Sequence, residues 1–389
     1  MKTTMYRDER ICHLEKYAKN MPIYGIYNGK PYSHILKIDR YNKRQIVSCY
    51  NIIQGVSSDL LPSSLHRFAH HLNSSQILCY NFFRPMLTES GRATEKLVTL
   101  LEKYGIKRLP DGSVTGAPLL SDDEFNHGLG EMRIRFIQEI VYWLALDYMY
   151  TGNTSNIPRV IDALDHALDQ GFAYGSGQGT NHHYGYQVRD LYKGVWILRK
   201  ELDKAGKLQD YVKALTYWSG LKETRMPYEQ TRDGILDAWH TLHNAKIISA
   251  MLQSDDSKRY AAMKALGKWT SQSLSYTDGT LGGIKIDGTS FHHGGHYPGY
   301  SVGAFGVLGD YCWFTKDTDF VIDESARRVF KHTLMTLRDY CNLRDWGVGV
   351  SGRHPFNGAI PEKDVEAFAR LAMLGDLTGS GLSMDPELG

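Results

Sequence analysis

Residues 135–150, RFIQEIVYWLALDYMY, decide the fold class. Apolar side chains recur there at intervals of three and four, the spacing that lines one face of an α-helix. They are Phe136, Ile137, Ile140, Val141, Leu144, Ala145 and Tyr148. The next segment has helix signals at both ends, with Asn156 and Pro158 at its start and Gly171 beyond its end. Two consecutive helices joined by a short loop are therefore predicted.

Helical patterns continue along most of the chain. Helices are predicted over 8–19, 58–74, 92–105, 187–204, 207–220, 232–254, 257–275, 301–314, 323–342 and 361–375. Strand patterns are few, and a few short strands are expected only in 23–55. Many amphipathic helices joined by short loops favour antiparallel hairpins. The predicted fold is all-α, an α/α toroid that forms an incomplete barrel of antiparallel helix pairs, with an N-terminal segment (1–55) leading into the toroid (56–389).

Composition excludes several functional classes. The 45 Lys and Arg residues nearly balance the 43 Asp and Glu residues, so no global positive field favours nucleic acid or a membrane surface. No apolar run reaches the ~20 residues of a membrane span, and the N-terminus lacks the apolar core of a signal peptide. The five cysteines are widely spaced and form no CxxC pair, so they indicate neither a disulfide framework nor a zinc or redox motif.

Three glycine-rich stretches interrupt the helical pattern: 172–186 (FAYGSGQGTNHHYGY), 276–300 (YTDGTLGGIKIDGTSFHHGGHYPGY) and 345–356 (DWGVGVSGRHPF). Each is predicted to be an irregular loop, and long loops rich in histidine and tyrosine are often functional. GSGQGT is not a phosphate-binding loop, because no strand precedes it and no GK[ST] follows.

The second stretch concentrates His292, His293, His296, Tyr297 and Tyr300 within nine residues. A zinc site is one interpretation, but His292 and His296 lie on a glycine-rich loop and not on a helix that would align them, and no acidic ligand of the usual kind is nearby. Structural histidines packed among aromatic rings are a second. The third is proton transfer, because histidine titrates near neutrality and a tyrosine beside a cation can exchange its proton.

Other side chains of these stretches suit an acidic sugar. Arg353 offers a planar fork for a carboxylate, and Asn181 an amide. Aromatic faces can stack on sugar rings, which singles out Tyr184 and Trp346. Together these residue types favour an acid/base enzyme that acts on an acidic substrate.

Three segments carry a family resemblance: DGTSFHHGGHYPGYS (287–301), SGRHPF (351–356) and NHHYGYQVR (181–189). In sequence and order they resemble the catalytic segments of chondroitin ABC lyases, in the polysaccharide lyase family eight group. The resemblance implies β-elimination at uronate residues of chondroitin and dermatan sulfate, with hyaluronan as a further substrate. It implies an anionic polysaccharide as partner and no metal or organic cofactor.

The resemblance also implies roles for individual residues. His293 would abstract the C5 proton of the uronate, Tyr300 would protonate the leaving oxygen and remove the proton of glucuronate, and Arg353 would assist Tyr300. His183, with Asn181, would contact the uronate carboxylate. The neighbouring residues His182, Tyr184, His292, Trp346 and His354 are expected to complete the substrate-binding surface.

Members of the family continue into β-sandwich domains, one of which supplies an acidic residue to the site. No strand-rich region for them is present in this chain, so they are expected in a longer, periplasmic or secreted protein. Two rival functions stay open. A glycoside hydrolase on a similar toroid would need two carboxylic acids, for which Asp233 and Asp237 are the helical candidates. A non-catalytic carbohydrate-binding domain would release no product.

Overall fold

The protein is described by a computed structural model that covers residues 24–27, 30–36, 102, 104–119, 130–176, 181–351 and 358–388. The backbone alone is described at 24–27, 30–36, 130–133, 181–184, 348 and 362–363. The chain divides into two compact units, Met1–Thr99 and Leu100–Gly389. In the first unit, β1 (Tyr24–Tyr27) pairs antiparallel with β2 (Lys30–Leu36), which confirms the short N-terminal strands. The helices predicted at 8–19 and 58–74, most of 92–105 and the expected boundary after residue 55 lie outside the described residues.

The second unit is built mainly of helices. They are α1 (Gly130–Thr151), α2 (Ile157–Asp169), α3 (Asn181–Lys204), α4 (Leu208–Trp218), α5 (Ile235–Asp237), α6 (His243–Met251), α7 (Asp256–Ser273), α8 (Pro298–Thr315), α9 (Glu324–Asp339) and α10 (Glu362–Ala372). A π-helical segment, Ala238–Leu242, joins α5 to α6, and 3₁₀ turns occur at Leu221–Arg225, Tyr228–Gln230 and Val348–Val350. The predicted all-α class is confirmed. Of the described helices, none is long and apolar enough to cross a membrane.

Short antiparallel strands stand between the helices. A two-stranded ladder, β3 (Lys107–Arg108) with β4 (Val114–Thr115), precedes α1. Strands β5 (Gly283–Ile284), β6 (Ser290–His292) and β7 (Gly295–His296) form one small sheet before α8. Strand β8 (Cys341–Asn342) pairs with β9 (Asp345–Trp346) after α9. The small sheet and β9 fall in stretches that the sequence predicts as irregular loops, whereas β8 lies at the end of the helix predicted over 323–342, which ends at Asp339.

The first two helices follow the apolar spacing. Ile137, Ile140, Val141 and Ala145 of α1 are each 0% exposed, as expected for the inner face of an amphipathic helix. Gly194 of α3 packs against this face, since a Cβ there would lie 3.0 Å from Val141 Cγ1. Helix α2 ends before Gly171, whose φ of 96° is the left-handed conformation of a helix stop.

The loop predicted over 172–186 is wrong at its end, because α3 already begins at Asn181. Gly185 falls within that predicted loop, yet it serves close helix packing. A Cβ on Gly185 would lie 2.6 Å from Thr241 Oγ1 in the π-helical segment. The sequence NHHYGY is therefore the first part of a helix, and Asn181, His182, His183 and Tyr184 occupy its first turn.

The main core gathers large aromatic side chains from α7, α8, α9 and the π-helical segment, including Trp239, Trp269, Phe305 and Phe330. Two polar groups are buried with them. His243 Nε2 and Thr270 Oγ1 lie 2.9 Å apart. Lys246 donates to the carbonyls of Ser219 and Gly220 and to Glu223. Burial, and then the Lys246 cation, lower the pKa of His243 to about 3.

This burial predicts an acid-sensitive step in stability. In the unfolded chain His243 takes up a proton near its ordinary pKa of 6.5, whereas the folded protein resists protonation down to about 3. The stabilisation from His243 is thus complete above pH 6.5 and is lost as the pH falls towards 3, by about 1.4 kcal/mol per pH unit. In urea titrations between about pH 4 and pH 6, His243→Gln should show a correspondingly shallower loss of unfolding free energy. An equal slope in His243→Gln and in the wild-type protein would contradict the prediction.

Candidate active site

The histidine cluster is built on a tight hairpin. His292 at the end of β6 pairs with Gly295 in β7, so His293 and Gly294 form a two-residue turn. Their φ angles are 52° and 79°, and positive φ at both positions is the requirement of a type I′ turn, whose twist matches the flanking strands. Histidine tolerates this conformation better than most residues with a side chain. His293 therefore stands exposed at the hairpin tip.

Tyr300 reaches the same place from the first turn of α8. Pro298 suits the start of this helix because its fixed φ is helical and its missing N–H needs no partner there. The Tyr297 N–H donates to the Ser290 carbonyl at 3.0 Å, and the hydroxyls of Ser290 and Ser301 are hydrogen-bonded. These contacts fix the helix start against β6.

The resulting cluster brings three side chains into ring contact. The ring centroids of His293 and Tyr300 are 5.4 Å apart at an interplanar angle of 89°. The His292 ring lies 4.0 Å from that of His293 and 4.4 Å from that of Tyr300. His292 is only 8% exposed, so of the two adjacent histidines only His293 is open to a ligand. The structure thus juxtaposes His293 and Tyr300, as the sequence predicts, and places His292 behind them.

A carboxylate stands behind the cluster. Tyr186 of α3 donates its hydroxyl to Asp237 Oδ1 at 3.0 Å, and His292 Nε2 lies 3.4 Å from Asp237 Oδ2. Burial and then the Asp237 charge raise the pKa of Tyr186 well above 10. The Arg189 guanidinium lies 5.3 Å from the centre of the Tyr186 ring. From the sequence, Asp237 is a candidate only for the carboxylate pair of a hydrolase. Tyr186 lies one helical turn after His182, a relation that becomes visible only once the helix is known to begin at Asn181.

His296 connects the hairpin to the following ladder. Its Nε2 is 3.2 Å from the Tyr340 hydroxyl, and its pKa is lowered, chiefly by burial. Strand β8 begins directly after Tyr340, and in β9 the N–H of Trp346 donates to the Gly358 carbonyl at 2.7 Å. The described residues Trp346 and Gly358 are therefore joined to each other, and Tyr340 joins the start of this ladder to His296.

Trp346 corrects one sequence expectation. Its side chain is 5% exposed and belongs to the main core, so it offers no open face for stacking on a sugar ring. Tryptophan has a large apolar surface, and the nearby core takes it up. Arg353 and His354 lie outside the described residues, and for Asn181, His182, His183 and Tyr184 only the helical backbone is described.

Metal binding is one interpretation of the histidine cluster. Across the described side chains, no group of three His, Cys, Asp or Glu residues is placed to share a metal ion.

Comparison with known proteins identifies the family of this chain. Residues 80–389 match the family model described as "Lyase, catalytic". The chain belongs to this lyase family. The match includes the hairpin, α8 and the α3 segment, which are the elements that build the cluster.

Two relatives that are similar to this chain are described as chondroitin sulfate lyases. The chain is 29% identical over 296 residues to a chondroitin sulfate ABC exolyase of Bacteroides thetaiotaomicron. The aligned region covers 70% of this chain and 29% of the relative. The chain is 30% identical over 210 residues to a chondroitin sulfate ABC endolyase of Proteus vulgaris, 54% of this chain and 20% of the relative. The chain thus spans less than a third of the length of these relatives.

Solved structures support the fold. A Paenibacillus xanthan lyase is similar with a TM-score of 0.52 and 18% identity, over 77% of this chain and 28% of that one. A mutant chondroitin AC lyase of Streptomyces coelicolor A3 also gives a TM-score of 0.52, with 14% identity, over 87% of this chain and 43% of that one. At these identities the likeness concerns the fold alone, and it confirms the predicted α/α toroid.

The left-handed backbone at His293 generates a stability prediction. Any residue with a Cβ is strained at this φ, whereas glycine is not, so His293→Gly should be more stable than His293→Ala by about 0.5–1 kcal/mol after the entropic cost of glycine. At His296, which has no positive φ, the order should reverse. Urea unfolding of the four variants measures both differences. Equal or greater stability of His293→Ala over His293→Gly would contradict the strained turn.

Proposed function

We propose that this chain is the catalytic domain of a polysaccharide lyase that cleaves chondroitin and dermatan sulfate, and also hyaluronan, by β-elimination at the uronate. The observation that carries the proposal is the exposed His293 at the hairpin tip, in ring contact with Tyr300 at the start of α8. The family match and the chondroitin-lyase relatives support the same reaction.

The elimination needs two proton transfers and no water. A base removes the proton on C5 of the uronate, and the electron pair of that C–H bond forms the C4=C5 double bond. The C4–O bond breaks, and the departing oxygen takes a proton. We assign C5 proton abstraction to His293 for iduronate and to Tyr300 for glucuronate, and protonation of the leaving oxygen to Tyr300.

The uronate carboxylate must be stabilised for this step to occur. A C5 proton beside an ionised carboxylate is a very poor acid, and donors that favour the enolate-like form lower the barrier. We assign this role to His183 with Asn181, and we place Arg353 near Tyr300 and the leaving oxygen. His182, Tyr184 and His354 are proposed to contact neighbouring sugars. The partner is an anionic polysaccharide, and a periplasmic or secreted location of the full-length protein remains our expectation.

The hydrolase alternative has less support. A hydrolase needs two carboxyl groups that face the glycosidic bond across a cleft. Asp237 instead faces Tyr186 and His292, and Asp233 is exposed. The proposed lyase needs no such pair.

Replacing Tyr300 tests the reaction class. Tyr300→Phe removes one hydroxyl, so turnover of every substrate should fall by at least about 100-fold while polysaccharide binding persists. Ultraviolet absorbance of the unsaturated uronate measures turnover in the full-length protein. Tyr276→Phe, which removes a hydroxyl bonded to His332, is the matched control and should remain active. Near-normal turnover by Tyr300→Phe would contradict the assignment. If the unmodified protein released new reducing ends without ultraviolet absorbance, it would be a hydrolase. If it bound polysaccharide and released no product, it would be a binding domain.

Replacing His293 tests the two-base assignment. Glucuronate and iduronate differ in configuration at C5, so their C5 protons point to opposite faces of the ring. His293→Ala should therefore abolish dermatan cleavage more completely than chondroitin cleavage, because Tyr300 still serves glucuronate. The ratio of the two rates is the measurement, and His332→Ala, on α9, should leave the ratio unchanged. Equal loss on both substrates would assign His293 to carboxylate binding or to positioning Tyr300.

A further inference from the structure

Asp237 occupies a position in the site that the proposed reaction does not by itself explain. It is the last residue of α5, directly before the π-helical segment Ala238–Leu242. Its side chain is 18% exposed. Such π segments often occur at functional sites, where they shift the register of the helix. Here the π-helical segment begins directly after Asp237, the residue that faces the catalytic cluster.

The carboxylate of Asp237 uses its two oxygens for two different elements. Oδ1 accepts the Tyr186 hydroxyl of α3, and Oδ2 faces His292 Nε2 of β6. Because the raised pKa of Tyr186 keeps its proton in place at neutral pH, the phenol is a lasting donor. An amide in the place of Asp237 would replace one of these two oxygens by an NH₂ group, so one of the two partners would face a donor instead of an acceptor.

The contact with His292 bears directly on the reacting groups. At 3.4 Å the contact is electrostatic and does not meet the geometry of a hydrogen bond, but a lone pair on Nε2 would face a negative charge. The proton of a neutral His292 therefore belongs on Nε2. His292 in turn touches both His293 and Tyr300 through its ring. Any rotation of the His292 ring would consequently displace the proposed base and the proposed acid together.

We propose that Asp237 is a positioning residue of the elimination reaction. It fixes the His292 ring in the Nε2–H tautomer, holds Tyr186 against the same carboxylate, and so keeps His293 and Tyr300 at the separation and angle that the two proton transfers need. This proposal rests on the proposed lyase function for its effect on rate. The tautomer of His292 does not depend on that function.

The kinetic test compares two aspartates of one segment. Asp237→Asn should lower kcat about 100-fold, the order expected when reacting groups are misplaced by about 1 Å, and should change KM by less than about threefold. Asp233→Asn is the matched control, because Asp233 is exposed and four residues earlier, and it should keep wild-type kcat. Tyr186→Phe removes one of the two partners and should give an intermediate kcat. A kcat within twofold of wild type in Asp237→Asn would overturn the proposal, as would a loss confined to KM.

The spectroscopic test separates this proposal from the lyase function. In protein labelled with ¹⁵N-histidine, the His292 ring nitrogens are assigned by comparison with His292→Gln. Wild type should show a protonated Nε2, and Asp237→Asn should lose that preference while Asp233→Asn retains it. A wild-type proton on Nδ1 alone would overturn the proposal even if the enzyme is active. A wild-type protein that eliminates no glycosaminoglycan refutes the proposed function, and the Nε2–H tautomer then still reports whether Asp237 orients His292. Because the wild-type spectrum needs no variant of Asp237, a folding failure of Asp237→Asn does not prevent this test.

Discussion

The arrangement of the site depends on the hydrogen bond from the Tyr297 N–H to the Ser290 carbonyl. It ties the residue before α8 to the strand that carries His292, and the bonded Ser290 and Ser301 hydroxyls strengthen the link. The hairpin turn cannot then swing away from the helix start. The proposed base and acid come from residues seven positions apart, and these contacts set the backbone positions from which their side chains reach the site.

Close helix packing supplies the rigid support behind this link. Gly303 of α8 lies against His240 of the π-helical segment, where a Cβ would come within 2.7 Å of Nε2. Gly185 brings α3 equally close to Thr241. Both glycines therefore allow helices to approach the π-helical segment, and the approach places Tyr186 within reach of Asp237. Side chains larger than hydrogen at either position would move the carboxylate and its partners apart, which is a cost of overpacking.

The sequence predicts the helices well because their apolar spacing reflects burial, as α1 illustrates. It misplaces the start of α3, since a glycine among histidines and tyrosines has the composition of a loop, and only tertiary packing against Thr241 shows the purpose of Gly185. The structure places His293 beside Tyr300, whereas Trp346 lies in the core, and the sequence does not connect Asp237 to the cluster. Contacts between elements far apart in sequence, such as Tyr186 with Asp237, leave no local pattern that a single sequence could reveal.

The backbone orients the side chains of the two adjacent histidines in different directions. His292 ends a strand, where alternate side chains point to opposite faces, and its ring turns inward to Asp237. His293 begins the type I′ turn and points outward at a strained φ. Strain of this kind persists only where the surrounding structure enforces it, and here both flanking strand pairs and the tie to α8 do so. A buried, oriented histidine can thus support an exposed one in the next position, although the two have the same side chain.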